Sequence, residues 1–164
     1  MNSPRLLSLL LAAAFAFFMA APVLGETWGR ATVDPLLLAE EELAAETRGD
    51  VAKAIALYSD DAIVQYGGLC WTPCAGKASI QKELERRAEA KNEWKVIGKY
   101  RSGNVAVIQT ELKIGFIEYT GVDRVVVWCI YEVVGDKIAV VTLVGQRTDP
   151  ETKRFIDYAT GSAK

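Results

Sequence analysis

The sequence contains no histidine. This absence excludes histidine general bases, Ser-His-Asp and Cys-His catalytic groups, and zinc sites with histidine ligands. Any chemistry must therefore use carboxylates, Tyr, Lys, Arg or Cys. We expect no metal site and no cofactor.

The chain also lacks an excess of basic residues. Its 19 Lys and Arg residues stand against 21 Asp and Glu residues, which gives a net charge of −2. No basic stripe is present, so we expect no nucleic-acid partner. Internal repeats and low-complexity tracts are absent as well. A chain of this length can bury the core of a single domain.

Charge is almost missing from the beginning of the chain, where Arg5 is the only charged residue before Glu26. Residues 6–21 are apolar except for Ser8, and small residues follow them. A basic start, an apolar stretch and a small-residue cleavage site are typical of a secretory signal peptide.

We therefore expect a signal peptide at residues 1–25, a connector at residues 26–33 and a secreted or periplasmic protein without membrane attachment after cleavage. Cleavage is expected after Gly25, with Ala21 as a weaker option. An uncleaved membrane anchor is the alternative, but the apolar stretch is shorter than the roughly 20 residues of a membrane span.

The sequence has only three cysteines. Cys70 and Cys74 bracket a tight loop that contains Pro73, whereas Cys129 lies in an apolar, strand-like stretch. In an oxidising compartment this spacing predicts a disulfide between Cys70 and Cys74 and a buried free thiol at Cys129. Two free thiols or a redox-active pair are the alternatives for Cys70 and Cys74, although redox pairs usually have two residues between the cysteines.

Hydrophobic periodicity changes near residue 90. Helical spacing of apolar residues precedes this point, with Asp34 and Asp50 as N-caps, and β-branched stretches separated by turn dipeptides follow it. The expected helices are 36–47, 51–58 and 76–90, and the expected strands are 62–66, 94–100, 105–117, 122–134 and 137–147. The last four strands should form an antiparallel meander, so the fold class is α+β. Residues 149–164 are expected to be a polar, loosely held tail.

Four short motifs occur in a particular order along the chain. They are Gly49-Asp50, segment 56–62 (Ala-Leu-Tyr-Ser-Asp-Asp-Ala), segment 76–80 (Gly-Lys-Ala-Ser-Ile) and segment 135–138 (Gly-Asp-Lys-Ile). This set resembles the SnoaL-like branch of the nuclear transport factor 2-like superfamily, over residues 34–148. The resemblance implies N-terminal helices packed on a strongly curved antiparallel sheet that forms a cone-shaped barrel around a pocket. It also implies a possible homodimer through the convex face of the sheet.

The same resemblance identifies positions at which family enzymes carry catalytic groups. Steroid isomerases place a general-base carboxylate near the position of Tyr66, an oxyanion-binding Tyr at the position of Glu42, and a protonated Asp on the strand that holds residues 125–130. This chain has none of these groups there. Epoxide hydrolases use an Arg between two carboxylates, but Asp123 and Arg124 are adjacent on a predicted strand and point to opposite faces. The known catalytic sets are absent, and whether the chain is an enzyme stays open.

Alternation along the predicted strands sorts the side chains onto two faces of the sheet. The face that the helices would cover is mostly apolar and includes residues 140, 142 and 144. The candidate pocket residues on this side are Tyr66, Asp123, Tyr131 and Gln146. Trp128 and Ile130 fall on the convex face, where apolar side chains indicate pairing with a second subunit. The alternative for the four polar residues is that they are ordinary core or solvated side chains.

We expect a small exported protein that binds a small apolar or aromatic molecule in its cone. The first alternative is an isomerase, cyclase or dehydratase with Asp123 as base and Tyr66 or Tyr131 as hydrogen-bond donor. The second is an exported interaction domain whose pocket is filled by side chains. A carboxyl group that faces a cavity and has a raised pKa would favour the enzyme. The absence of a cavity would favour the interaction domain.

Overall fold

The structure is a computed structural model that describes residues 29–67, 73–113 and 121–162. Its elements are, in chain order, α1 (Pro35–Thr47), α2 (Val51–Ala56), β1 (Tyr58–Gly67), β2 (Cys74–Ala75), α3 (Lys77–Glu89), β3 (Glu93–Ser102), β4 (Val105–Lys113), β5 (Val125–Val134), β6 (Lys137–Gly145) and α4 (Pro150–Ala159). The predicted signal peptide, Cys70 and the expected strand residues 114–117 lie outside the described residues.

Helix α1 begins and ends where the sequence predicts. The Asp34 carboxylate accepts a hydrogen bond from the N–H of Leu36 (2.9 Å), and Pro35 occupies the first turn, where an N–H has no partner within the helix. Beyond Thr47, Gly49 has a φ of 68°, a conformation that commonly closes a helix and that glycine adopts without strain.

The six strands form one open sheet in the order β2-β1-β6-β5-β4-β3. Strands β3 to β6 are consecutive antiparallel neighbours, so the expected meander is confirmed. Strand β1 is longer than expected and pairs parallel with β6. Helix α1 packs on β3 to β6 and α3 packs on β1 and β2, which confirms the α+β class. The sheet does not close into the expected barrel, because β2 and β3 are its edges.

An irregularity in the β5–β6 hairpin decides which side chains face α1 and α3. The strand pairs are regular from the turn to Ile138, and Ala139 is then an extra residue on β6. Such a bulge shifts the rest of the strand by one residue and exchanges its two faces. The prediction that residues 140, 142, 144 and 146 face the helices, which assumed a regular hairpin, is therefore wrong. Val141 and Leu143 face them instead and are buried.

The core lies between the helices and this inner face of the sheet. On β4 and β5 the predicted faces are confirmed, since Ile108 pairs with Cys129 and both are fully buried. Burial raises the pKa of the Cys129 thiol, as expected for the predicted buried free cysteine. The predicted disulfide is not formed in the structure, because Cys74 is free.

The C-terminal segment corrects a further expectation, because it forms helix α4 instead of a loosely held tail. Its Asp149 carboxylate accepts a hydrogen bond from the N–H of Thr152 (2.9 Å), and the Thr152 hydroxyl accepts one from the N–H of Val126 (2.7 Å). Phe155 and Ile156 are buried. The helix thus packs at one end of the sheet, against β5 and β6.

The segment before α1 forms backbone hydrogen bonds with the turn of the β5–β6 hairpin. The Thr32 N–H donates to the Gly135 carbonyl (2.6 Å), and the Gly135 N–H donates to the Arg30 carbonyl (3.1 Å).

No helix in the described part of the chain has the length and apolar character needed to cross a membrane.

Candidate functional site

A cluster of polar side chains lies where α1 and α3 meet the inner face of the sheet. We call it the interior polar cluster, and its members are Glu42, Glu46, Tyr58, Tyr66, Glu83, Arg87, Trp94 and Tyr131. Burying a polar group without a partner is costly, so such groups usually bond to one another. Each member of this cluster has a hydrogen-bond partner inside it.

Glu42 is only 1 % exposed. Its two carboxyl oxygens accept hydrogen bonds from the hydroxyls of Tyr58 (2.8 Å) and Tyr131 (2.9 Å). Burial, followed by the charge of Glu46 on the next turn of α1, raises the pKa of Glu42 to about 7. The two hydroxyls and the Arg87 guanidinium act in the opposite direction. Glu42 is therefore a buried acid that changes charge near neutral pH.

Glu46 connects three elements of the fold. One carboxylate oxygen accepts a hydrogen bond from Arg87 of α3 (3.0 Å), and the other accepts one from the indole N–H of Trp94 on β3 (2.6 Å). Burial acts to lower the pKa of Arg87, but the charge of Glu46 and the contacts with Tyr66 and Glu83 outweigh it and raise the pKa. Arg87 therefore stays charged inside the protein.

Tyr66 and Glu83 complete the cluster towards the surface. The Tyr66 hydroxyl donates to Glu83 (2.6 Å) and accepts a hydrogen bond from Arg87. Burial acts to raise the pKa of Glu83, but hydrogen bonds from Arg86 and Tyr66 and the charge of Arg87 lower it to about 2. Burial raises the pKa of Tyr66, so its phenol is neutral at physiological pH.

The interior polar cluster links α1, α3 and the sheet through side-chain hydrogen bonds. A group that transfers a proton must contact the atom that loses or gains it. Glu42, Tyr58 and Tyr131 are each at most 2 % exposed and bond to one another. In the described residues, no group of three or more potential metal ligands lies together.

Two clefts open at the surface beside this cluster. The Trp94 cleft, between α1 and β3, has a volume of about 340 Å³ and is lined by Glu40, Leu43, Ala44, Thr47, Arg48, Trp94 and Val96. The Asn92 cleft, about 200 Å³, is lined by Glu46, Thr47, Arg48, Gly49, Ala88, Lys91, Asn92 and Glu93. The two clefts share Thr47 and Arg48, so together they form one continuous lining around the end of α1.

The four predicted pocket residues do not come together. Tyr66 and Tyr131 belong to the interior polar cluster. The Asp123 side chain is exposed, and its backbone N–H contacts Glu151 of α4 (3.3 Å). The Gln146 side chain bonds to Gln109 (2.6 Å), on the outer side of the sheet. The inner-face placement of Gln146 was wrong because of the Ala139 bulge.

The buried charges of the cluster were not predicted, although the sequence carries signals for them. Glu42 and Glu46 fall on the same helical face as Leu38 and Leu43, an arrangement that places two acids within an apolar stripe. On α3, Glu83 and Arg87 are four residues apart, the spacing of a helical ion pair. The predicted dimer residues Trp128 and Ile130 lie on the outer face and are half-buried.

No protein-family model and no curated protein matches the sequence. Solved structures do match it. An NTF2-like protein of unknown function from Cytophaga hutchinsonii ATCC 33406 has a TM-score of 0.58 and 11 % identity, over 71 % of this chain and 94 % of that one. An uncharacterized cystatin fold protein from Novosphingobium aromaticivorans has a TM-score of 0.59 and 20 % identity, and the match covers 68 % of this chain and 97 % of that one. The epoxide hydrolase/cyclase-like enzyme SalBIII, which has a role in pyran ring formation in the polyether salinomycin, has a TM-score of 0.60 and 13 % identity. That match covers 70 % of this chain and 92 % of SalBIII.

Identities this low establish the fold and nothing further. The class defined by the fold is an α+β domain with helices on one face of a six-stranded sheet. The chain has the NTF2-like, or cystatin-like, cone fold, as the resemblance of its motifs predicted.

Proposed function

We propose that this chain is an exported, non-catalytic protein of the SnoaL-like type that binds a small apolar or aromatic molecule in the Trp94 cleft. The observation that carries the proposal is the composition of that cleft, in which Leu43, Ala44, Trp94 and Val96 provide apolar walls. Small-molecule sites combine such walls with a few polar groups and typically measure about 300–1,000 Å³. The volume of about 340 Å³ suits a ligand the size of two fused aromatic rings.

The apolar wall of this cleft is held in place before a ligand arrives. The Trp94 indole bonds to Glu46, which is itself bonded to Arg87 in the core. Binding to such a wall loses less conformational entropy than binding to a mobile side chain. Val96 is 41 % exposed and offers apolar surface for a ligand to cover.

Catalysis receives less support. The proposed base Asp123 is exposed beside α4 and is not part of the interior polar cluster. Glu42 has the raised pKa of many general acids and bases, but Tyr58 and Tyr131 enclose its carboxyl group. Because side chains enclose this carboxyl group, the interior of the fold is a less suitable binding site than the surface cleft.

The proposal is tested with a neutral aromatic probe, N-phenyl-1-naphthylamine, whose fluorescence rises in apolar surroundings. Val96→Asp places a charge in the cleft wall, so we expect it to weaken binding at least tenfold. Ile97→Asp is the matched control, because Ile97 is the next residue on β3, is similarly exposed at 43 %, and does not line the cleft. Absence of probe binding, or equal effects of the two substitutions, would overturn the site.

The natural ligand is sought by native mass spectrometry of the protein purified from its own host. A retained small molecule that is lost from the Val96→Asp variant, and kept by Ile97→Asp, would support the cleft. An adduct that both variants retain equally would place the ligand elsewhere.

We also propose that the outer face of the sheet pairs with a second copy of the chain. Trp128 and Ile130 lie on this face next to Val107 and Val144, and all four side chains are only partly buried. Light scattering after gel filtration should show a dimer for the wild type and a monomer for Trp128→Glu. Tyr158→Glu, on an exposed tyrosine of α4, is the control and should remain a dimer. A monomeric wild type at 100 μM would contradict this proposal.

Export is proposed from the composition of residues 1–25. The test is N-terminal sequencing of the protein recovered from outside the cytoplasm of its host. A chain that begins at Glu26 supports cleavage after Gly25, and an intact chain in the cytoplasm contradicts export.

A further inference from the structure

We propose that the molecule bound in the Trp94 cleft is an amphipathic organic acid, with its apolar body against Trp94 and its carboxylate on Arg48. This inference rests on the proposed binding function. The observation behind it is that the other polar side chains lining the cleft already have hydrogen-bond partners, whereas the Arg48 side chain has none in the described part of the chain.

Most polar groups of the cleft are already occupied. The Trp94 indole N–H donates to Glu46 (2.6 Å), and the Thr47 hydroxyl donates to the Leu43 carbonyl (2.8 Å). Glu40 accepts a hydrogen bond from Lys99 (2.7 Å). Among the described residues, Arg48 is thus the one side-chain donor in the cleft lining that has no hydrogen-bond or ion-pair partner.

Arg48 is also not needed to complete helix α1. An arginine at a helix C-terminus can cover the last carbonyl groups, which otherwise lack partners. Here the carbonyls of Ala44, Ala45 and Glu46 accept hydrogen bonds from the backbone N–H groups of residues 48, 50 and 49 (3.3, 2.9 and 2.8 Å). The guanidinium is therefore available to a ligand.

The neighbouring Asn92 cleft adds positive charge at the same end. Arg48 and Lys91 both line it, and neither has an ion-pair partner among the described residues. Glu93 is the acid there without a described partner, and the Glu46 charge is balanced by Arg87. One unit of positive charge remains uncompensated in this lining, which matches a ligand with a single carboxylate. A guanidinium is suited to this partner because it can form two parallel hydrogen bonds with a carboxylate.

The experiment compares two ligands of the same shape, 2-naphthoate and 2-naphthylmethanol, by isothermal titration calorimetry at 20 mM salt. We expect the acid to bind about tenfold more tightly than the alcohol, and the preference to shrink at 300 mM salt because an exposed ion pair is screened. Arg48→Gln should abolish the preference and leave the affinity for the alcohol unchanged. Lys82→Gln is the matched control, since it removes a cation of α3 that lines neither cleft.

Each result separates this inference from the proposed function. Equal binding of acid and alcohol, with both weakened by Val96→Asp, would overturn the organic acid and leave the apolar site intact. A preference that Lys82→Gln reduces as much as Arg48→Gln would overturn the role of Arg48. Failure of both ligands and of N-phenyl-1-naphthylamine to bind would overturn the proposed function itself.

Discussion

Replacing Glu42 with glutamine exchanges a buried acid for an amide of nearly the same shape that can still bond to Tyr58 and Tyr131. In the folded protein the pKa of Glu42 is raised from 4.5 to about 7, mainly by burial. Each pKa unit corresponds to about 1.4 kcal/mol of difference between the two protonation states. The cost of ionising Glu42 inside the fold is therefore about 3 kcal/mol.

The sign of this effect is opposite to that of ordinary acid denaturation. Between pH 4.5 and 7 the folded protein holds a proton on Glu42 that the unfolded chain has released, so stability falls as pH rises. Between pH 5 and 8 we expect the free energy of unfolding to drop by about 2–3 kcal/mol. No histidine titrates in this window, because the chain has none. Glu83, whose pKa is lowered to about 2, contributes stability that is lost only as pH falls below about 4.5.

The assay is urea denaturation followed by tryptophan fluorescence at half-unit steps from pH 5 to pH 8. Glu42→Gln should flatten the profile, with stability near that of the wild type at pH 5 and about 2–3 kcal/mol higher than the wild type at pH 8. Glu41→Gln is the control, because Glu41 is its neighbour on α1 but is exposed and paired with Lys53. A wild-type stability that is constant or rises over this range, with no change in Glu42→Gln, would refute the reasoning.

Three further predictions concern stability. Glu46→Ala leaves Arg87 buried without its main counter-charge, so urea denaturation should show a loss of about 3–5 kcal/mol. Lys91 is a non-glycine residue with a φ of 52°, so Lys91→Gly should raise the thermal midpoint by a few degrees, through about 0.5–1 kcal/mol of relieved strain. Gly145→Val inserts side-chain atoms where even a Cβ would lie 2.8 Å from Ile156, so it should cost about 1–3 kcal/mol. Hydrogen exchange should then show faster opening of α4, and unchanged exchange there would contradict its packing on β6.

The parts of the fold that the sequence predicts correctly have local signals. Asp34 and Pro35 mark the start of α1 by cap chemistry, and the turn dipeptides separate strands that pair with their immediate neighbours. The same reasoning could have found α4, because Asp149 and Pro150 repeat the Asp34-Pro35 motif ahead of residues with helical spacing. The features of the fold that the sequence did not predict depend on residues far apart along the chain. The parallel pairing of β1 with β6 and the extra residue Ala139 depend on contacts that no short segment specifies.

In the candidate site, too, the features with local sequence signals can be predicted and the contacts between distant segments cannot. The acids Glu42 and Glu46 can be placed on one face of α1 from their spacing, and Glu83 and Arg87 on one face of α3. That Glu46 meets Arg87 depends on how the two helices pack, across 41 residues of sequence. The Trp94 cleft depends further on the twist and edge position of β3, which periodicity does not encode. Tyr66 and Tyr131 were correctly identified as inward-facing polar residues, but their partners were not.

The position of Glu46 between the core and the Trp94 cleft links the buried charges to the proposed site. A buried ion pair is weak evidence for stability, since well-packed apolar residues of similar volume often serve as well or better. An apolar residue at position 46 would leave the Trp94 indole N–H without its acceptor, and a half-buried donor of this kind is costly. Glu46 satisfies this donor while Arg87 neutralises the charge, so the indole can present only its apolar surface to the cleft. This arrangement explains how Glu46 can lie inside an otherwise apolar helix face. Under the proposed function, it leaves the polar end of a ligand to Arg48.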